Sequence, residues 1–293
     1  MDHEYLIEKR LRALDPQLHS RYKNCVVVSS QMLQQYRSTF PEYTDHSTLH
    51  TLEIVDSCNL LIGDQIDRLS ADDLYVLLMG ALFHDVGMGI SEKDFYSFYD
   101  ERDPAGAGPF EREDLQDQIR KNHHELSGWF VRKYWQIFDI PSAPYAEAII
   151  QVCRGHRKTD LLDPEEFPET FFVADGRGVT LPYLAALIRL ADELDIAADR
   201  NSTLLYDPMR IRNDISRLEF LKHQSIRSAE ILPDCVLVKA LSDDPKVCEG
   251  IVETVSKVAE VLRYCREAVA RRTSFIIRQQ GITLDLNGRL TLL

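Results

Sequence analysis

The sequence predicts a mainly α protein, a helical bundle with a small C-terminal α/β appendage. Three observations carry that expectation. Apolar residues recur at helical spacing from Asp45 to about Ala198, breakers interrupt that stretch in two places, and beyond Arg200 the pattern changes to strand-like alternation around one long amphipathic segment. With 293 residues and 44% hydrophobic side chains, the chain can bury a large core. Residues 1–44 are expected as N-terminal helices packing on the core, 45–200 as the main helical domain, and 201–293 as the appendage.

The opening "MDHEYLIEKRLRALD" is charged and amphipathic, unlike a signal peptide, and residues 1–40 read as two helices broken at "DPQLHS". A later helix starts at Ser70 with Asp73 three residues on, a capping-box-like pair. The first interruption, "ERDPAGAGPF" (Glu101 to Phe110), has the Gly and Pro content of a flexible connection or lid; the second runs from about Lys158 to Thr180. In the appendage, "AEILPDCVLVKAL" reads as one or two strands and "DPKVCEGIVETVSKVAEVLRYCREAVARR" as the long helix. Val252, Val255, Val258, Val261 and Leu262 lie on or near its apolar face, for packing on the core or on a second subunit. "GITLDLNGRLTLL" reads as a hairpin about an Asn-Gly turn.

Charge and composition exclude several classes. The net charge of −13 argues against a general nucleic-acid or anionic-membrane binder, which needs a cationic surface. No run approaches the roughly 20 apolar residues of a membrane span, and the six scattered cysteines form neither a disulfide framework nor paired metal motifs. A cytoplasmic protein with reduced thiols is expected. Walker, dinucleotide-binding and nucleophile-elbow motifs are absent from the sequence, and Trp129 and Trp135 read as core or interface.

The chemistry concentrates where apolar stripes run into His or Asp. After Ser70 the buried stripe is Leu74, Leu77, Leu78, Ala81 and Leu82, and helical arithmetic puts Asp85 next with His84 beside it. An ionised Asp in that position needs a counter-charge, and a metal is the economical one beside His, although backbone hydrogen bonds alone also satisfy such helix-terminal pairs. His46, His50, Ile54, Cys58 and Leu61 form a second stripe; Ile119, His123, Leu126, Phe130 and Tyr134 a third, with His124 about 100° off it. Ile149, Val152, Cys153 and His156 share a face, and Leu181, Leu184 and Ile188 lead to Asp192 and Asp195. Five such coincidences point to a mixed imidazole and carboxylate shell, which suits Mn, Fe, Co, Ni, Zn or, less well, Mg.

These residues resemble the HD-domain superfamily of metal-dependent phosphohydrolases over roughly Asp45 to Arg200. His50 in "HSTLHTLEIV" looks like its first ligand, His84 and Asp85 in "LFHDVG" like its doublet, and Asp192 in "RLADELD" like its closing carboxylate. His123 in "IRKNHHELSG" and His156 in "VCRGHRKTD" stand where the binuclear branches add two histidines, which implies two divalent ions bridged by Asp85. The order of motifs is closest to bacterial stand-alone or ATPase-associated HD proteins. "GHRKTD" replaces the HD-GYP stretch, so cyclic di-GMP specificity is not carried over.

The resemblance implies hydrolysis of a phosphoester or phosphoanhydride, of a nucleotide above all, by attack of metal-bound hydroxide, with His84, Asp85 and Asp192 as catalytic residues and manganese among the metals. Arg157 and Arg200 follow ligands closely and, with Arg154, Lys121 and His46, are the expected substrate-binding set. Asp195 is expected to orient a ligand rather than bind metal. Two other readings share these residues: an HD-type diiron oxygenase, and a non-catalytic ligand-sensing or scaffolding HD protein whose C-terminal region binds a partner or makes a homodimer.

Overall fold

The computed structural model describes residues 5–33, 48–102, 112–157, 159–197 and 214–293. His46, Lys158, Arg200 and the Asp103 to Phe110 part of the expected lid lie outside the described residues, and Glu101 and Arg102 close a helix.

Asp15 divides the N-terminal segment into α1 (Leu6–Leu14) and α2 (Pro16–Leu33). Its carboxylate accepts the N–H groups of Gln17 and Leu18, at 3.0 Å each, and Pro16 opens the second helix where no donor is required. Helix α3 (Thr48–Ile62) follows and passes through a 3₁₀ turn (Gly63–Arg68) to α4 (Ala71–Phe83). The capping box forms as the sequence predicts: Ser70 Oγ accepts the Asp73 N–H at 3.0 Å, and the Asp73 carboxylate accepts the Ser70 N–H at 3.1 Å. Every residue of α4 beyond Ala71 is buried, because it runs through the middle of the bundle against α1, α2 and two later helices.

His84 ends α4, and a second 3₁₀ turn (Val86–Gly89) carries the chain away. Gly87 is required there by close approach rather than by φ: a Cβ would meet the His123 carbonyl and the Ser127 N–H. Gly87 instead donates its N–H to Ser127 Oγ at 2.9 Å, and Ser127 donates to the His84 carbonyl at 2.7 Å. Helices α5 (Glu92–Arg102), α6 (Arg112–Tyr134) and α7 (Ala143–Gly155) come next, with α6 packed on both the 3₁₀ turn and α7. Trp129 is buried, donates from its indole to Glu101 at 2.6 Å, and belongs to the core, against which Trp135 packs partly buried.

The expected loop from Lys158 to Thr180 contains a small antiparallel hairpin, β1 (Phe171–Ala174) and β2 (Arg177–Val179). Asp175-Gly176 makes its turn, with Gly176 at a φ of 68°. Arg177 then ties it down by a two-pronged ion pair to buried Asp72 of α4, which also accepts from the Tyr145 hydroxyl. The hairpin leads into α8 (Leu181–Leu194), buried along almost its whole length.

The rest of the chain is α9 (Asp214–Ser225), β3 (Ile226–Ile231), β4 (Val236–Ala240), α10 (Pro245–Arg272), β5 (Ile282–Leu286) and β6 (Arg289–Leu292). The four strands form one sheet in sequence order, antiparallel except for the parallel β4–β5 pair that α10 connects. The Asn287-Gly288 hairpin turn is present, both residues at positive φ. Helix α10 packs on α8, burying Ile251, Val255, Val258, Leu262, Cys265 and Val269. Val252 points to solvent and Val261 is only partly buried, because the packed stripe is rotated from the expected one. The molecule is a mainly α bundle with a small C-terminal sheet.

Candidate metal centre

Six side chains from five helices converge beside the C-terminal end of α4. His50 comes from the first turn of α3, His84 and Asp85 from the end of α4, and His123 from the middle of α6. His156 caps the C-terminus of α7, and Asp192 sits in the last turn of α8. All are buried except Asp192, whose side chain keeps 13% exposure and marks the side open to solvent.

Three histidines are oriented by one local device. The Nδ1 of His84 faces the Ala81 carbonyl at 2.8 Å and that of His123 the Arg120 carbonyl at 2.7 Å, while His156 makes the same contact to Cys153. Each acceptor lies three residues earlier on the histidine's own helix. A carbonyl can only accept, so each Nδ1 carries the proton and each Nε2 turns a bare lone pair inward.

Asp85 divides the cluster. Its Oδ2 lies 3.8 Å from His50 Nε2 and 3.6 Å from His84 Nε2, with Asp192 Oδ1 at 3.5 and 3.9 Å from the same two nitrogens. Its Oδ1 faces the other way, 3.4 Å from His123 Nε2 and 3.7 Å from His156 Nε2. The ligand-type atoms of His50, His84, Asp85 and Asp192 lie within 4.8 Å of one another, as do those of Asp85, His123 and His156. For ligands about 2.1 Å from a metal, neighbouring donor atoms are about 3.0 Å apart in an octahedron and about 3.4 Å in a tetrahedron. The spacings observed fit a coordination shell.

The electrostatics point the same way. Burial pushes His84, His123 and His156 below the ordinary histidine range, His156 furthest, with the neighbouring imidazoles adding to it there. Neutral imidazoles do not balance two carboxylates. Burial, the largest single influence, would raise Asp192, but the His50 hydrogen bond together with the attraction of His84 and His156 holds it well below the usual carboxylate range. His123 Nε2 and His156 Nε2 are also only 2.9 Å apart. Two bare lone pairs at that distance repel unless positive charge lies between them, so the donor set fits a bound cation.

The basic side chains Arg154 and Arg157 near the cluster are paired with acids. Arg157, one residue past His156 and 38% exposed, reaches Glu193 at 3.8 Å, and its charge helps depress His123 and His124. Arg154 is held between Glu125 at 3.0 Å and Glu166 at 2.5 Å. Lys121 is exposed on α6. His124 is half-buried beside His123, and burial first, then the neighbouring His123 imidazole, lowers it to about 4.

The six residues expected as ligands are thus brought together, while of the expected substrate-binding residues Arg157 stands at the rim and Arg154 is bound up in ion pairs. Sequence reasoning overlooked Glu53, Ser127, Arg189 and Glu193. Glu53 comes one turn after His50 and forms a set with His50 and Asp195. Arg189, one turn before Asp192, donates to the Gly155 and Thr159 carbonyls at 2.7 Å each and so grips the chain on both sides of His156; its guanidinium lies over the Tyr264 ring of α10. For Glu53, Ser127 and Arg189 the signal available was spacing of three or four residues from a ligand, whereas Glu193 directly follows Asp192.

Among family models, the one for HD-CE, an HD-containing domain, matches residues 40–274. No curated protein and no solved structure matches. No single helix among the described residues is long and apolar enough to cross a membrane.

Proposed function

Since the chain belongs to the HD-CE family of HD-containing domains, we propose that it is a metal-dependent phosphohydrolase, a cytoplasmic enzyme that holds two divalent cations and cleaves a phosphoester or phosphoanhydride bond of a nucleotide. One observation carries the reading: Asp85 turns a different carboxylate oxygen to each of two histidine pairs, and the His123 and His156 lone pairs meet at 2.9 Å. His50, His84, Asp85 and Asp192 would hold one cation, and Asp85, His123 and His156 the other. Manganese suits this mixed set of nitrogen and oxygen donors. Bound cations supply Lewis acidity toward phosphate oxygens and lower the pKa of water near phosphorus.

The chain's own residues do the rest. Asp192 keeps its charge, and Asp85 and Asp192 together set the orientation of what binds between them. His84, His123 and His156 present Nε2 while each donates its Nδ1 proton to a backbone carbonyl, so none of the three needs to change tautomer during turnover. Arg157 meets the phosphate at the rim; its 3.8 Å contact with Glu193 is long enough to be exchanged for a phosphate oxygen. Lys121 adds long-range attraction in an otherwise acidic protein. The buried ring of imidazoles excludes bulk water and strengthens these interactions. Free thiols at all six cysteines accord with a reducing compartment.

The test is metal analysis of the purified full chain, with a phosphate-release screen over nucleoside mono- and triphosphates and linear and cyclic dinucleotides. For diesters the product nucleotide is resolved by chromatography. Metal-dependent turnover that Asp85→Ala abolishes is the expected result. A chain that retains no metal, or an Asp85→Ala variant as active as wild type, would overturn the reading, as would oxygen uptake with iron in place of hydrolysis.

A further inference from the structure

Asp192 and Asp195 lie three residues apart at the end of α8 and reach opposite nitrogens of one imidazole. Asp192 Oδ1 is 3.5 Å from His50 Nε2, and Asp195 Oδ2 is 2.5 Å from His50 Nδ1. The helix end makes this possible: Asp195 leaves helical geometry with a ψ of 67°, while its N–H still donates to the Asp192 carbonyl at 3.2 Å. In a continuing helix the two carboxylates would lie on adjacent turns of one face and could not straddle a ring.

His50 is therefore unlike the other three histidines. They give Nδ1 to a neutral carbonyl of their own helix, whereas His50 gives it to a carboxylate brought from another helix, with a side chain only 9% exposed. A charge-assisted bond of this kind makes the far nitrogen a stronger donor and holds the ring against rotation. The charge distribution leans the same way. The His50 side of the cluster has Asp85 and Asp192 in contact and Asp195 behind; the His123 side shares Asp85 alone and has the Arg157 charge nearby.

We propose that Asp195 is a positioning residue that fixes His50 with Nε2 toward the cluster, making the His50–His84–Asp85–Asp192 set the tighter of two unequal cation sites. This rests on the two-cation reading above. It makes the cation held by Asp85, His123 and His156 the exchangeable one, so that turnover follows the free concentration of divalent ion through that site.

The experiment is calorimetric titration of the metal-free full chain with Mn²⁺, for wild type, Asp195→Ala, Asp195→Asn and His156→Ala. Wild type is expected to bind in two steps. Asp195→Ala weakens the tighter step about 10- to 100-fold and leaves the weaker one in place. Asp195→Asn, which retains an acceptor oxygen of the same shape without charge, falls between the two. His156→Ala removes the weaker step instead. The visible absorption of one equivalent of Co²⁺ shifts in Asp195→Ala and not in His156→Ala, and matching thermal melts of the metal-free variants exclude a folding defect. An Asp195→Ala titration identical to wild type, or one in which the weaker step moves, overturns the role of Asp195 while leaving the two-cation reading intact; a wild type that takes up no Mn²⁺ sinks both.

Discussion

Two carboxylates at opposite ends of α4, Asp72 and Asp85, are both buried, yet they have opposite surroundings. Asp72 meets a guanidinium, with Arg177 Nε at 2.9 Å, and the Tyr145 hydroxyl. Asp85 meets imidazoles at 3.4 to 3.8 Å, three of which burial keeps neutral. The first carboxylate is balanced by the protein and anchors a hairpin. The second is arranged for positive charge that arrives from outside. Burial of an acid is therefore not itself a sign of function; the sign is burial among neutral nitrogen donors.

The largest effects should break the comparison outright. Asp85→Ala is expected to bring phosphate release down to background and abolish metal retention. Asp72→Ala keeps both and instead lowers stability by about 2 to 3 kcal/mol, read from denaturant unfolding, through the loss of hydrogen bonds to a charged group. If Asp72→Ala were the variant that lost metal, the distinction between the two acids would fail. Next in size, Mn²⁺ at about 100 times its Kd should stabilise wild type and Asp72→Ala by about 2.7 kcal/mol against unfolding, and Asp85→Ala not at all.

The imidazoles sharpen the comparison through pH. His84, His123, His156 and His124 all titrate below the ordinary value of 6.5, His124 at about 4. Between these values the unfolded chain binds protons that the folded chain does not, so stability rises with pH through that window and falls on acidification. Unfolding midpoints of the metal-free chain at pH 5 and pH 7.5 measure the slope, and His124→Gln should make it shallower. A flat profile would falsify the neutrality assigned to these rings.

The smallest effects fall at the rim. Arg157→Ala should raise KM about tenfold, roughly 1.4 kcal/mol, with little change in kcat. Arg154→Ala should leave KM near wild type, because its guanidinium is held by Glu125 and Glu166, and should cost at most about 1 kcal/mol of stability.

What the sequence revealed follows from the range of the interactions. His50, His84, Asp85, His123, His156 and Asp192 were legible because each interrupts an apolar stripe on its own helix, a local pattern with a fixed period. The β1–β2 hairpin resembles a loop in sequence because strands of four and three residues have no room to show alternation, although Asp175-Gly176 is a turn signal. The engagement of Arg154 depends on Glu125, 29 residues away, and the two-sided grip on His50 on a carboxylate 145 residues away. No window along the chain contains either pair. The order of the four-stranded sheet is likewise set by a parallel pairing across the whole of α10.

Arg189 bears on how this protein should be cut. From the helix that carries Asp192 it holds the Gly155 and Thr159 carbonyls, and Tyr264 of α10 lies against it while donating its own hydroxyl to Asp160 at 2.8 Å. A fragment trimmed to the stretch bearing all six ligands would remove that tyrosine from the segment that follows His156. Boundaries drawn around the six clustered residues alone would therefore cut away a contact that braces the chain beside His156.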